Sequence, residues 1–92
     1  MSQFAADLVL RPKPDVIAKR LDQDTVLVDI STGRIFELNE TGTRVWELLG
    51  QGLNVEQIVQ HLISEFEVED SRAAEELKTL LSQLQDQGLI AV

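Results

Sequence analysis

The segment TVLVDISTGRIFELNETGTRVWELL, residues 25–49, predicts a short hairpin that leads directly into a helix. Two runs of alternating apolar residues flank a polar segment, which is the pattern of two strands joined by a turn. The first run consists of Val26, Val28 and Ile30, and the second of Phe36 and Leu38. This strongly patterned part of the chain contains strand, turn and helix signals but no residue set that is typical of catalysis.

The length of the turn determines which side chains face each other across the hairpin. With a three-residue loop that ends at Gly33 in the left-handed region, Val28 faces Phe36 and Val26 faces Leu38. A two-residue loop would instead place an aspartate beside Phe36. We therefore predict the three-residue loop, with the large apolar side chains of both strands on one face of the sheet.

A helix is predicted directly after the second run. Asn39 can cap this helix, and its apolar positions recur with helical spacing. These positions are Gly42, Val45, Trp46 and Leu49. We expect Trp46 to lie in the core. We expect Gly42 to permit a close approach of the helix to the sheet or to the third helix, because glycine is otherwise unfavourable there.

The rest of the chain extends this pattern on both sides. The segment Val16–Leu21 is predicted as the first strand, Asn54 begins a second helix, and Asp70 and Ser71 begin a third that stops at Gly88. The apolar stripe of the second helix is Val55, Ile58, Val59, Leu62, Ile63 and Phe66. That of the third is Ala73, Leu77, Leu80, Leu81 and Leu84.

Three strands are too few for a self-sufficient sheet, so their apolar face must pack on the helices. We predict an α+β fold of winged-helix type, with a three-stranded antiparallel sheet followed by three helices. Residues 16–92 are predicted to form the domain, and residues 1–15 an N-terminal arm that is flexible or lies against the domain or a neighbouring molecule. Leu89, Ile90 and Val92 are expected to pack back as a short wing.

The composition limits the class of protein. The 92 residues, 43% of them apolar, suffice for one globular domain. The absence of cysteine excludes disulfides and thiolate metal sites. No apolar run is as long as a membrane span and the N-terminus lacks a secretion-signal pattern, so we expect a cytoplasmic protein. The net charge of −8 disfavours binding to nucleic acid or to anionic membranes.

The titratable side chains form no pattern that indicates catalysis. His61, the only histidine in the sequence, is predicted on the polar face of the second helix without metal-ligand partners or a nucleophile. A group of carboxylates lacks the spacing and the turn glycine of an EF-hand, so a solvated linker is expected. These carboxylates are Glu65, Glu67, Glu69, Asp70, Glu75 and Glu76. We predict no enzyme activity, no catalytic residue, no metal and no cofactor.

A winged-helix fold also suggests DNA binding through the third helix. The residues predicted to be exposed on that helix include one lysine and three acidic side chains, which would meet phosphates with net repulsion. DNA binding is therefore the less favoured interpretation.

The third predicted strand, residues 34–38, is expected to lie at an edge of the sheet because a helix follows it directly. An edge strand exposes N–H and C=O groups, which proteins usually protect with lysine, proline or a covering segment. This strand contains neither lysine nor proline. Either its twist or the N-terminal arm protects it, or an extended peptide binds to it as an added strand.

The sequence resembles a known family. The segments VLVDISTGRIFELNETGTRVWELLGQG, VEQIVQHLISEF and AAEELKTLLSQLQDQGLI resemble the PqqD family, whose members are also called RiPP recognition elements. The resemblance covers residues 16–91 and is most specific at Asp29 with Gly33, at Leu38 with Asn39, and at the final Gly-Leu-Ile. Proteins of this family are small domains that bind the leader segment of ribosomally made precursor peptides.

The resemblance implies that a leader peptide binds as an added strand along the third strand, in a groove bordered by the third helix. The residues implied for backbone pairing are Arg34, Ile35, Phe36, Glu37 and Leu38. The residues expected on the helix side are Ala74, Leu77, Lys78 and Leu81. The expected function is that of a non-catalytic adaptor, a peptide chaperone that presents a precursor to its modifying enzyme.

The implied partners are the precursor peptide and a peptide-modifying enzyme. In pyrroloquinoline quinone (PQQ) biosynthesis this enzyme is a radical SAM enzyme. The hairpin sequence Asp-Ile-Ser-Thr-Gly-Arg is more similar to stand-alone family members associated with the peptidases of lasso peptide biosynthesis. The alternative hypothesis is an acidic winged-helix module for protein–protein interaction or regulation.

Overall fold

The computed structural model describes residues 4–92, which form a small sheet packed on three helices. The elements are β1 (Arg11–Pro12), β2 (Val16–Leu21), β3 (Asp24–Asp29), β4 (Ile35–Leu38), α1 (Glu40–Gly50), α2 (Val55–Phe66), α3 (Asp70–Asp86) and β5 (Ile90–Ala91). β2, β3 and β4 form an antiparallel sheet in that order, and β1 pairs with β5 separately. The predicted fold class is confirmed. No helix of the described part is both long and apolar enough to cross a membrane.

The register of the β3–β4 hairpin differs from the prediction. Leu27 lies opposite Phe36 and Thr25 opposite Leu38, so the loop between the strands contains four residues, 30–33. The predicted pairing of Phe36 and Leu38 with valines is therefore wrong, and so is the predicted three-residue loop. Because side chains alternate across a strand, the shift by one residue exchanges the two faces of β3. Val26 and Val28 face away from the helices as a result, and Ile30 lies exposed in the loop.

Hydrogen bonds at both ends of β3 account for this register. At the loop end, the Asp29 carboxylate accepts bonds from the Ser31 hydroxyl at 2.6 Å and the Ser31 N–H at 2.9 Å, which organises the turn. The bond from the Ser31 side chain is the main reason that the pKa of Asp29 lies below its ordinary value. At the other end, the buried hydroxyls of Thr25 and Thr43 bond to each other at 2.9 Å. Gly33 has the predicted left-handed conformation, with φ of 77°.

The predicted caps of the first two helices are present, but the cap predicted at Ser71 is not. α3 begins after Glu69, which forms no side-chain capping bond, and Ser71 lies within the helix. The Asn39 side chain accepts a hydrogen bond of 2.9 Å from the Gly42 N–H at the start of α1. Asn54 and Gln57 form a reciprocal capping box at the start of α2, with bonds of 2.8 and 2.9 Å. A Cβ atom at Gly42 would lie only 3.1 Å from the Leu38 side chain. Gly42 therefore permits a close approach of α1 to the sheet, which is one of the two roles predicted for it.

The core lies between the helices and the face of the sheet that carries Leu27. Its largest fully buried side chains are Leu10, Leu27, Leu48, Leu49, Ile58, Leu77, Leu81, Leu84, Leu89 and Val45. Trp46 was predicted in the core, but it is only half-buried and packs against the outside of this cluster, as does Phe36. The aliphatic side chains therefore supply most of the buried surface.

Residues 4–15 pack on the domain and contribute to its core through Phe4 and Leu10. The carbonyls of Ala6 and Leu8 accept hydrogen bonds of 2.9 and 3.0 Å from the first two N–H groups of α2, which have no partner within the helix. β1 then pairs with β5 at the C-terminus. The described part of the predicted arm is therefore occupied elsewhere and does not cover β4, while residues 1–3 lie outside the described residues.

A chain of ion pairs links β2, α1 and α2. The Arg44 guanidinium donates two hydrogen bonds to Glu65, Nε to Oε1 at 2.7 Å and Nη2 to Oε2 at 3.0 Å. Glu47 contacts both Arg44 at 3.3 Å and Arg20 at 3.0 Å. His61 Nδ1 lies 2.9 Å from the second oxygen of Glu65. Glu65 therefore ties two helices together, whereas the sequence predicted only a solvated carboxylate.

We expect this ion pair to make the free energy of unfolding depend on pH. The hydrogen bonds from Arg44, with a smaller contribution from His61, lower the pKa of Glu65 from 4.5 to about 2. Because the pKa is lower in the folded state, the stabilisation is complete above about pH 4.5 and is lost as the pH falls towards 2. The Arg44 and Glu65 side chains are 29% and 34% exposed, so solvent screens the ion pair. We expect it to contribute at most about 1 kcal/mol to the free energy of unfolding.

Urea denaturation above and below this pH window measures the effect. Glu65→Gln should lose less stability on acidification than the wild type does, because the variant has no carboxylate to protonate at this position. Glu56→Gln, on the same helix but without an ion pair to any described residue, should follow the wild type. Equal acid sensitivity of Glu65→Gln and the wild type would contradict the prediction.

Candidate functional site

β4 is an edge strand, and no strand of residues 4–92 pairs with its outer side. The Asp29 N–H donates to the Arg34 carbonyl at 2.9 Å, which marks these two residues as a hydrogen-bonded pair. Such pairs alternate with non-hydrogen-bonded pairs in an antiparallel ladder, so Phe36 bonds to β3 while Ile35 and Glu37 direct their backbone groups outward. The edge therefore offers two N–H donors and two C=O acceptors to an incoming strand.

The side chains of β4 divide between the two faces of the sheet. Phe36 and Leu38 face the helices, where Leu38 is buried and Phe36 half-buried. Ile35 and Glu37 face the other way, as the predicted alternation of this strand required, and Ile35 is 67% exposed. A strand added at this edge would therefore meet a partly filled helix side and an open outer side.

Two cavities lie at the two ends of β4, and α3 borders both. The large cavity, of about 770 Å³, follows the C-terminal end of β4. It is lined by Asn39, Thr41, Gly42, Ser71, Arg72, Glu75, Glu76, Thr79, Leu80 and Gln83. The small cavity, of about 340 Å³, precedes β4 and is lined by Lys13, Asp15, Asp29, Ser31, Thr32, Arg34, Asp86, Gln87 and Gly88. α3 therefore passes β4 in the opposite chain direction.

The lining of the large cavity is mostly polar. Arg72 and Glu76 form an ion pair, with Nε and Oε1 3.1 Å apart, and the Thr79 hydroxyl donates to the Glu75 carbonyl at 3.1 Å. Leu80 supplies an apolar surface that also packs against the core. The lining therefore combines both signs of charge with one apolar side chain.

The four residues expected on the helix side of the groove do not line the large cavity. Leu77 and Leu81 are 1% and 0% exposed and lie in the core, because this stripe of α3 packs on the other elements. Ala74 packs against the core and Lys78 is exposed, but neither borders the cavity. The peptide-binding role of these residues, and of residues 34–38, remains a prediction.

The α3 residues that do line the large cavity were missed by the sequence reasoning. They are Ser71, Arg72, Glu75, Glu76, Thr79, Leu80 and Gln83. Their spacing of three or four residues forms a second stripe beside the buried one. This stripe could have been found by asking which face of the helix adjoins its buried face, although the choice between the two adjoining faces depends on where β4 lies.

The chemistry available at this edge is hydrogen bonding and packing. Within residues 4–92, no three His, Cys, Asp or Glu side chains are placed to hold a metal ion. His61 lies on α2 with Glu65 and borders neither cavity. Unpaired backbone groups on an edge strand are the feature by which sheets bind extended peptides.

Comparison with protein families places this edge in a known context. The family described as "Coenzyme PQQ synthesis protein D (PqqD)" matches residues 24–90. This chain belongs to the PqqD family. The matched residues include all of β3, β4 and the three helices, and therefore the open edge and both sides of the large cavity. The resemblance found in the sequence is confirmed.

Two solved structures are similar to this PqqD-family chain. "TbiB1 in Complex with the TbiA(beta) Leader Peptide" has 29% sequence identity and a TM-score of 0.82, with 87% of this chain and 93% of that chain covered. "Lasso peptide synthetase B1 complexed with the leader peptide" has 27% identity and a TM-score of 0.83, with coverage of 92% and 100%. Both similar structures are complexes with leader peptides. No curated protein matches the chain.

Proposed function

We propose that this PqqD-family protein is a non-catalytic adaptor that binds the leader segment of a ribosomally made precursor peptide. The leader binds as an added strand along β4, and the adaptor presents the precursor to a peptide-modifying enzyme. The observation that carries this proposal is the open edge of β4 in a fold whose similar solved structures both hold leader peptides. The groups that the edge offers, two donors and two acceptors, are those that strand addition requires.

We further propose that the partner enzyme belongs to lasso peptide biosynthesis, with the radical SAM enzyme of PQQ biosynthesis as the alternative. One of the similar structures is a lasso peptide synthetase B1 protein. In this arrangement the partner performs the chemistry, so the adaptor needs no catalytic group of its own. The cytoplasm is the compartment in which an adaptor could meet a newly translated precursor.

The test is titration of ¹⁵N-labelled protein with the leader peptide encoded beside the gene. We expect the amide signals of Ile35 and Glu37 to shift, because their N–H groups would gain new acceptors. The amide signal of Ala18, on the opposite edge of the sheet, should not shift and serves as the internal control. A scrambled peptide of the same composition should shift none of these signals.

Two outcomes would contradict the proposal. One is shifts confined to the helices with the amides of residues 35–38 unchanged, which would move the binding surface away from the edge. The other is turnover of the precursor by this chain alone, which would show catalysis. The alternative hypothesis of a regulatory module predicts no response to the leader at all.

A further inference from the structure

The outer face of the sheet carries two rows of side chains that end at the open edge. The register aligns Ile17 of β2 with Val28 of β3 and Ile35 of β4, which forms an apolar row across all three strands. The adjacent row consists of Lys19, Val26 and Glu37. The first row therefore ends at Ile35 and the second at Glu37, and an added strand would extend both rows.

The geometry of strand addition determines which peptide side chains continue these rows. Ile35 and Glu37 carry the outward backbone groups, so in an added antiparallel strand one residue lies directly opposite each of them. Both of these peptide residues direct their side chains to the outer face, and one residue stands between them. Antiparallel pairing is the more stable of the two directions per residue, and the rest of the sheet already has it. In that direction the peptide residue opposite Glu37 precedes the one opposite Ile35.

The side chains of β4 suggest what these two peptide residues are. Ile35 is 67% exposed at the open edge, so an apolar neighbour on an added strand would cover surface that is now in water. Glu37 forms no ion pair with any residue among 4–92, since Val26 separates it from Lys19 in the same row. A basic neighbour would complement this carboxylate on a protein whose net charge is −8.

We propose that the bound segment carries a lysine or arginine followed two residues later by an apolar side chain, with both on the outer face beside Glu37 and Ile35. This inference rests on the proposed function and adds to it the substrate class and two specificity-determining residues. These two peptide side chains do not contact the large cavity, because they face the outer side of the sheet and the cavity lies on the helix side. Only the residue between them points to the helix side.

The experiment is selection of random displayed peptides, long enough to span the four residues of β4, on the immobilised protein and on Glu37→Lys. Peptides selected by the wild type should contain the basic-x-apolar pattern, and those selected by Glu37→Lys should carry an acidic residue at the first position. For one selected peptide, replacing its basic residue by glutamate should weaken binding to the wild type about two- to fivefold and strengthen binding to Glu37→Lys. Both differences should disappear near 1 M salt, where the screening length is about 3 Å.

Matched variants separate position from composition. Asp7→Lys changes the net charge as Glu37→Lys does, but Asp7 lies between Ala6 and Leu8, whose carbonyls bond to α2 and not to the sheet, so its selected peptides should match those of the wild type. Ile35→Ala should remove the preference for an apolar residue at the second position, whereas Ile17→Ala, on the same face but two strands away, should retain it.

The outcomes distinguish this inference from the proposed function. Selected peptides that shift the Ile35 and Glu37 amides but keep the same charge on Glu37→Lys would overturn the inference and leave strand addition intact. Failure to select any peptide would overturn the proposed function itself. A charge switch that Asp7→Lys reproduces would reduce the effect to net charge and would also overturn the inference.

Discussion

Glu37→Pro should weaken leader binding at least about tenfold while the domain remains folded. Proline removes the N–H that Glu37 directs to the open edge, and its ring occupies the space that an incoming carbonyl would use. The loss of one hydrogen bond together with this steric block accounts for the expected size of the effect. Ile35→Pro should act in the same way, because both residues have the same phase in the strand. Isothermal titration calorimetry with the leader peptide measures the affinity of each variant, and circular dichroism tests whether the variant is folded.

Ala18→Pro is the matched control for this experiment. The β2–β3 register places the Ala18 N–H on the opposite open edge of the sheet, so the same chemical change occurs where no peptide is proposed to bind. Phe36→Pro should instead break a bond to β3 and destabilise the hairpin. If Glu37→Pro binds the leader as well as Ala18→Pro does, the peptide does not pair with β4.

Leu27→Ala should cost about 2–5 kcal/mol of unfolding free energy, whereas Val28→Ala should cost less than about 1 kcal/mol. The two residues are neighbours on β3, but Leu27 is fully buried and Val28 faces away from the helices. A domain of this size has a total stability on the order of 5 kcal/mol, so Leu27→Ala is expected to lie close to the folding limit. Urea denaturation measures both variants.

Leu27→Val provides a milder change if Leu27→Ala does not fold. It should still destabilise the protein more than Val28→Ala does, because any loss of volume at a fully buried site leaves a cavity. The reverse order, with Val28 the more sensitive position, would indicate the hairpin register with valines facing Phe36 and Leu38. The comparison therefore tests the register and not only the burial of one residue.

The helices were predictable because their signals are local. Caps at Asn39 and Asn54 and apolar residues at helical spacing lie within a few turns of one another, and α2 begins and ends where the pattern indicated. The bounds of β2 were predicted correctly for the same reason, since a short alternating run ends at a recognisable turn. These elements depend little on the rest of the chain.

The hairpin register could not be predicted in this way. The face with Val26 and Val28 is the more apolar of the two faces of β3, so hydrophobic patterning favours burying it. The structure buries the other face because the Asp29 side chain organises the turn and the Thr25 hydroxyl finds a partner in Thr43, eighteen residues away. A buried polar group can be assigned from sequence only when its partner is known.

The candidate site was predicted in part. The edge position of β4 followed from the helix that comes directly after it. The helix side of the groove did not follow, since Leu77 and Leu81 are prominent in the sequence because they are buried. The surface between β4 and α3 depends on how these two elements are placed in the folded domain. No local sequence pattern encodes that placement.

The open edge of β4 also bears on how this protein stays dispersed in solution. An unpaired strand next to an exposed apolar row could join the same strand of a second copy, which is the route by which sheet edges seed aggregates. The net charge of −8 opposes such contacts through mutual repulsion between copies. This repulsion vanishes near the isoelectric point of about 4.4, so we expect the same edge that is proposed to bind a leader to promote self-association in mild acid.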